Sequence, residues 1–326
     1  MELIQQFQHR INQAVSELDI GHKQPAELYE PIAYTMGQPG KRLRPLLSLL
    51  ACHLFGGDIE KAIYPAISVE IFHNFTLVHD DIMDKAPLRR GQQTVYQKWN
   101  ADIAILAGDT MFAMAYQYAL KTDPALVPKV LTVFSKAAIE VCEGQQLDMN
   151  FETMKTVSIP EYLNMIRLKT AVLLGASLEI GAICAHALPE DIAHIYQFGI
   201  LLGIAFQLKD DLLDVYGDQD QFGKLSGGDI ATNKKTYLYL KALELADDVK
   251  YSRLTSLYSP NSILPVEDKI RQVKQLFDDL DVKEQVGLIM DDYYYQAMLA
   301  LSNISIGSAR LEPLQDFAQK LFNRTY

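Results

Sequence analysis

Two windows of this chain carry the same acidic pattern, Asp80-Asp81-Ile82-Met83-Asp84 and Asp210-Asp211-Leu212-Leu213-Asp214, with their first aspartates 130 positions apart. Three carboxylates within five residues of otherwise apolar sequence repel one another unless something neutralises them. Hard oxygen donors in that number suit Mg²⁺, with phosphate oxygens completing its shell. Two such windows imply a clamp on one diphosphate.

Helical geometry gives each window one face. At about 100° per residue, His73, Asp80 and Asp84 fall within roughly 40° of one another, and Gln207, Asp210, Asp211 and Asp214 share a stripe of roughly 100°. A lone Asp-Asp pair is ordinarily an N-cap or a solvated face. Acids placed late in an apolar helix oppose its macrodipole, so their repetition needs another reason. Basic residues supply one: Gly40-Lys41-Arg42-Leu43-Arg44-Pro45 opens a helix and Arg89-Arg90-Gly91 follows the first window. Lys169-Thr170 lies between the windows, and Lys224 and Lys234-Lys235 follow the second. Arginine offers a fork of donors matched to phosphate oxygens, and lysine a mobile point charge.

The remaining punctuation is helical. The expected helices are Met1 to Leu18, Arg44 to Phe55, Ile59 to Met83, Asp102 to Leu120, Ala125 to Phe151, Pro160 to Ala187, Pro189 to Val215, Lys234 to Leu245, Pro265 to Leu280, Lys283 to Asn303 and Leu311 to Phe322. Gly56-Gly57-Asp58 ends one helix and caps the next, and Pro160 and Pro189 suit first-turn positions. No period-2 strand series is visible, which disfavours an α/β nucleotide fold, and Gly40-Lys41 lacks the upstream glycine of a phosphate-binding P-loop. Cys52, Cys142 and Cys184 sit far apart in apolar helical stretches and read as reduced core residues. Asp291 to Tyr295 has no third carboxylate and reads as packing beside a solvated edge.

Composition sets limits. With 326 residues, 49% of them hydrophobic, the chain can bury a large core, and no linker or low-complexity tract divides it. A net charge of −11 argues against a nucleic-acid partner. The amino terminus has no basic flank and apolar run of the export type, so a cytoplasmic location is expected. The apolar run from Ile192 to Leu208 is interrupted by His194, Gln197 and Gln207 and reads as a buried core helix rather than a transmembrane segment.

From Gly40 to Tyr237 the chain resembles the trans-isoprenyl diphosphate synthases, which make farnesyl, geranylgeranyl and longer prenyl diphosphates. The resemblance rests on Gly40 to Pro45, the first acidic window with Arg89-Arg90, Gly144-Gln145 with Asp148, Lys169-Thr170, Phe206-Gln207 with the second window, Gly223-Lys224, and Lys234 to Tyr237. It implies an all-α helical bundle around a deep central cavity, a single domain over residues 1–326, and a homodimer, with Asp109 in the segment that packs at the dimer interface of similar proteins. Asp80, Asp84 and Asp210 would hold about three Mg²⁺ on the head of an allylic diphosphate, with Asp81 and Asp214 as further ligand candidates. Arg89, Lys169, Lys224 and Lys234 would support that diphosphate, with dimethylallyl, geranyl and farnesyl diphosphate as the expected allylic substrates. Isopentenyl diphosphate would sit on Lys41, Arg44, His73 and Arg90. Asp211 belongs to the catalytic set, and Gln207 and Thr170 would place polar oxygen near the developing cation.

Chain length, by the same resemblance, turns on Phe75 and Thr76, five and four residues before Asp80. A bulky ring at the first position closes the tail cavity, while a small residue there lets the chain pass twenty carbons. Phe75 followed by Thr76 favours geranylgeranyl diphosphate, C20, over farnesyl diphosphate, C15. Two other readings stay open: a terpene cyclase, which needs no isopentenyl site, and a noncatalytic subunit of a prenyl synthase, which typically lacks some of these aspartates.

Overall fold

Helix signals in the sequence become helices with identifiable stops. The computed structural model describes residues 2–217, 227–259 and 264–323. In chain order the helices are α1 (Glu2–Ser16), α2 (Ala26–Gly37), α3 (Leu43–Leu54), α4 (Ile59–Met83), α5 (Val95–Lys98), α6 (Ala101–Ala119), α7 (Val127–Thr153) and α8 (Ile159–Ile166). A π-helical turn, Arg167–Ala171, leads into α9 (Val172–Cys184). Then come α10 (Pro189–Tyr216), α11 (Gly228–Ala231), α12 (Tyr237–Leu245), α13 (Asp248–Leu257), α14 (Val266–Asp278), α15 (Val282–Ser302) and α16 (Ser308–Phe322). Among the described residues the only strands are β1 (Leu88–Arg89) and β2 (Gln92–Gln93), an antiparallel pair. The fold class is all-α.

Caps follow their chemistry. The Asp58 side chain accepts from Glu60 N at 3.0 Å to open α4, and Asn100 accepts from Ile103 N at 2.9 Å to open α6. Ser158 and Glu161 form a reciprocal capping box at the start of α8, with Pro160 in its first turn.

The chain groups into two compact units. The first comprises Met1–Ala138, Leu173–Tyr196 and Asn303–Leu314. Its core is built on α3, where Leu46, Leu47, Leu49 and Leu50 are buried, and on α4, where Ile63, Ile67 and Ile71 recur every fourth residue. The small buried residues Ala104, Ala107, Gly108 and Ala115 let α6 pack closely along α4. The second unit comprises Ile139–Val172, Gln197–Ser302 and Gln315–Tyr326. Phe198, Leu202, Ala205 and Leu208 of α10, Leu238 of α12, Phe277 of α14 and Val286 of α15 are among its buried residues. Fully burying each of the Leu, Val and Phe side chains contributes about 1.5–3 kcal/mol.

Several expectations need correction. The helix read as Pro160 to Ala187 is interrupted by the π turn, and that read from Lys234 starts only at Tyr237. The sequence reading missed α2, because Pro31 lies inside it, and missed the polar α13. Cys52 and Cys184 are buried free thiols, but Cys142 is exposed, on the same outward face of α7 as Ile139. The α10 helix runs to 28 residues and is long and apolar enough to cross a membrane, yet 61% of its apolar window is buried within the protein. Asp291 and Asp292 are exposed and Tyr294 stacks on Phe322 at 4.3 Å, in keeping with packing beside a solvated edge.

The π turn has a packing partner. A Cβ on Gly144 would lie 2.7 Å from Lys169 Cα, and one on Gly203 would lie 2.7 Å from Ala171 Cα. Both glycines therefore make room for the widened turn. Gly144→Ala is expected to destabilise the protein by about 1–3 kcal/mol through overpacking. Gly287→Ala, in α15 with nothing within 4 Å of the added Cβ, should instead stabilise it by about 1 kcal/mol. Denaturant melts of both variants check the pair; unchanged stability for Gly144→Ala would show that the turn does not need the space.

Candidate active site

Each acidic window ends a helix segment whose periodicity sorts its three carboxylates. In the first unit Asp81 is buried, with 4% of its surface exposed, while Asp80 is half-buried and Asp84, the C-cap of α4, is exposed. In the second unit Asp211 is 5% exposed and Asp210 and Asp214 are half-buried. The second aspartate of each window thus turns inward, and the first and last, four residues apart, share a more open face.

A two-residue turn aims the first window's counterion. Arg90 and Gly91 both have positive φ, 53° and 75°, which suits the right-handed twist of a tight hairpin. The hairpin folds Arg89 back onto the window, where Nε donates to Asp81 Oδ1 at 2.8 Å and Nη2 to Asp80 Oδ2 at 3.3 Å. Burial nevertheless pushes the Asp81 carboxyl up to about 6, with Arg89 opposing and Asp80 and Asp84 adding to the rise.

A few residues upstream on α4, the electrostatics reverse. Arg44, in the first turn of α3, donates from Nη1 to His73 Nε2 at 3.1 Å. An arginine can only donate, so His73 Nε2 accepts and the imidazole is neutral. Burial, then Arg44, Arg90, Arg89 and Arg42, holds the His73 pKa well below its usual value. Burial and Arg90 lower Arg44 to about 10, against the pull of Glu70. Arg44 Nε is cut off from solvent and has no hydrogen-bond partner. A guanidinium with an orphaned buried N–H and other arginines nearby has the donor and charge that an anion matches.

Two neighbours hold this loop. Arg42, in the left-handed conformation at the start of α3 (φ 46°), is 8% exposed. It pairs with Glu70 Oε1 at 2.7 Å and donates to the carbonyls of Met36 and Gln38. Arg90 Nη1 donates to Pro39 O at 3.1 Å and passes so close to Gly40 that a Cβ there would lie 2.7 Å from it. Gly40 leaves room for that approach, and a side chain there would displace the end of Arg90. Lys41 is exposed on the same loop. Farther along α4, the Phe75 ring is half-buried between Phe72, Phe112 and His79, at 5.5, 5.2 and 4.7 Å between centroids. Thr76 Oγ1 donates to His73 O at 2.7 Å.

In the second unit the π turn delivers Lys169 and Thr170. Lys169 Nζ donates to Asp148 Oδ2 at 2.6 Å, and although burial works against it, Lys234 and Lys169 hold the Asp148 carboxyl below its usual range. Thr170 Oγ1 donates to Gln207 Oε1 at 2.9 Å, Gln207 Nε2 donates to Asp211 Oδ1 at 3.0 Å, and the Tyr162 hydroxyl donates to Asp211 Oδ2. Burial and then Asp229 raise the Asp211 carboxyl despite those two donors and Lys234. Asp214 is held by backbone: its Oδ2 accepts from Asp229 N at 3.0 Å, and its carbonyl accepts from Gly227 N at 2.7 Å. Lys235 donates to the carbonyl of Phe151, which gives it a structural task. Lys224 lies outside the described residues.

Sequence reasoning missed Tyr162 and Asp229. Neither carries a local signal, because Tyr162 reads as one more apolar helix residue and Asp229 follows a glycine pair, which in sequence reads as a loop although it opens α11. Among the described residues no three His, Cys, Asp or Glu side chains form a ready-made metal cluster. Magnesium taking most of its shell from diphosphate and water needs only one or two carboxylates per ion, and the windows offer carboxylate oxygen without histidine or cysteine. The donor set fits that metal.

A family model described as polyprenyl synthetase matches residues 25–279, and the chain belongs to that family. It is a prenyltransferase by class. It is 40% identical over 249 residues to the geranylgeranyl diphosphate synthase of Methanosarcina mazei, covering 75% of this chain and 76% of that protein. It is 34% identical over 337 residues to the geranylfarnesyl diphosphate synthase of Natronomonas pharaonis, covering 97% and 95%. A crystal structure of a geranylgeranyl pyrophosphate synthase superposes with a TM-score of 0.94 and 41% identity over 99% of both chains.

The raised carboxyl pKa values fix a sign for stability. Asp81 has an ordinary value of 3.8 and a folded value of about 6, so between those values the native state holds more protons than the unfolded chain. Its stabilising contribution is complete below about pH 4 and is lost as pH rises through about 6. Asp211 shifts in the same direction. In chelator, Asp211→Asn should therefore raise the melting temperature more at pH 7.5 than at pH 4.5. An equal change at both pH values would contradict the buried-carboxylate assignment.

Proposed function

We propose that this prenyltransferase condenses isopentenyl diphosphate with an allylic diphosphate (dimethylallyl, geranyl or farnesyl) to give a short-chain trans-prenyl diphosphate. The observation that carries the reading is Arg44, whose orphaned Nε beside a neutral His73 calls for an anion, set against acidic windows that call for a cation. An enzyme with two diphosphate substrates, one of them bound through metal, needs both. A terpene cyclase would leave the arginine site without a ligand. A noncatalytic subunit gives no reason for two intact acidic windows.

The proposed ligands for about three Mg²⁺ are Asp80, Asp84 and Asp210, with Asp81 and Asp214 beside them. When bound, the metal supplies positive charge against the negative charge that develops on the leaving diphosphate. Arg89, Lys169, Lys224 and Lys234 add donors to the same oxygens, so the allylic C–O bond can ionise. Lys41, Arg44, His73 and Arg90 hold isopentenyl diphosphate so that its alkene attacks the allylic carbon. Thr170 and Gln207 turn oxygen toward the positive charge. The proton that leaves the product passes to the departing diphosphate. Apolar walls exclude the water that would trap the cation as an alcohol.

Residues 1–326 act as one synthase domain in this reading, since every unit boundary but that after Ser302 falls inside a helix, in α7, α9, α10 and α16. A cytoplasmic homodimer is the proposed form. In support, α6 leaves Ile105 and Leu106 exposed near Asp109, an apolar patch that a second copy could cover.

Phe75 supports a C20 product. Its ring is braced by Phe72 and Phe112, and at about 1.5 Å per residue it lies roughly 7 Å along α4 from Asp80. The experiment is product analysis of purified enzyme with Mg²⁺, dimethylallyl diphosphate and isopentenyl diphosphate. Wild type should release geranylgeranyl diphosphate, and Phe75→Ala should release longer chains. Cyclic hydrocarbons, or no extension at all, would overturn the synthase reading, and unchanged length in Phe75→Ala would make the ring a packing residue only.

A further inference from the structure

Gln207 presents one carboxamide, and two neighbours fix which way it faces. Its Oε1 accepts from Thr170 at 2.9 Å and its Nε2 donates to Asp211 at 3.0 Å. Both Asp211 oxygens act as acceptors here, Oδ1 toward Gln207 and Oδ2 toward Tyr162, so a flipped amide would set its carbonyl oxygen against an acceptor. The carboxylate cannot turn away, because its other oxygen takes the Tyr162 hydroxyl and both residues are buried, at 5% and 3% exposure. Tyr162 stands on α8, Thr170 on the π turn, and Gln207 and Asp211 one turn apart on α10. The four side chains form one connected line across three elements.

We propose that Tyr162 and Asp211 are positioning residues that act through Gln207: they anchor its carboxamide so that the carbonyl oxygen, with the Thr170 hydroxyl, faces the allylic carbon where positive charge develops. This rests on the prenyl-transfer reading of the site. It gives the two adjacent aspartates of the second window separate tasks, Asp210 toward the metal and Asp211 toward the amide. A flipped amide would present N–H to the cation and raise the barrier. Loss of one preorganised dipole typically lowers kcat by about 10²–10³-fold, and Tyr162→Phe, which removes only the anchor, should cost about tenfold or more.

The test combines kinetics with a signal independent of turnover. Tyr162→Phe and Asp211→Asn should lower kcat while leaving both KM values and the half-saturating Mg²⁺ concentration within about twofold, since neither residue touches substrate or metal. In a Gln207→Leu background, Tyr162→Phe should have no further effect on kcat. In protein labelled with ¹⁵N-glutamine, the side-chain amide signal that disappears in Gln207→Leu should exchange slowly with solvent in wild type and rapidly in Tyr162→Phe. Additive losses, a raised Mg²⁺ requirement, or an unchanged amide signal would overturn the proposal. Wild-type protein with the slow amide but no chain extension would overturn the reading of the reaction and leave the anchoring intact, so the two failures are distinguishable.

Discussion

Six carboxylates in two short windows cannot be packed beside apolar helices unless their charge is answered, and the rest of the site follows from how it is answered. In each window the second aspartate is buried and held by the protein itself, Asp81 by Arg89 and Asp211 by Tyr162 and Gln207. Those contacts do not restore an ordinary pKa, because burial outweighs them in both cases. The first and last aspartates lie on the more open face, Asp80 beside Arg89 and Asp214 against the backbone of Asp229. Helical spacing alone separates inner from outer carboxylates, so the same five-residue pattern yields the same division twice.

Around this constraint the backbone takes unusual forms where side chains must be aimed. Arg90 and Gly91 adopt positive φ to return Arg89 to the window, Arg42 adopts positive φ to start α3 with Arg44 in its first turn, and the π turn carries Lys169 and Thr170. Each has a supporting residue that makes no contact with substrate in the proposed reaction. Glu70 holds Arg42, Gly40 yields to Arg90, and Gly144 and Gly203 give the π turn its width.

Much of this was legible from the chain alone, for definite reasons. The span Ile59 to Met83 could be read because Asp58 caps it and apolar residues recur along it, and its bounds are those observed. The acidic windows, Arg89 and the Gly40 to Pro45 loop stood out because charge in apolar surroundings is conspicuous. Other elements were hidden. The π turn differs from α-helix by one hydrogen-bond register and leaves no compositional trace in Arg167 to Ala171, while α2 contains Pro31, a residue that usually argues against a helix. Tyr162 was invisible because its role depends on a partner 49 residues away. Cys142 looked like core because its neighbours in sequence are apolar, and periodicity could not say which face of α7 meets solvent.

The central claim is that both acidic windows act on a single allylic diphosphate. Calorimetric titration of a non-ionising allylic thiodiphosphate into the protein at saturating Mg²⁺ tests it most directly, using wild type, Asp80→Ala, Asp210→Ala and the double variant. A shared clamp predicts one ligand per chain, at least about tenfold weaker binding in either single variant, and a double-variant loss smaller than the sum of the two. Wild-type affinity in either single variant, or losses that add in full, would contradict it.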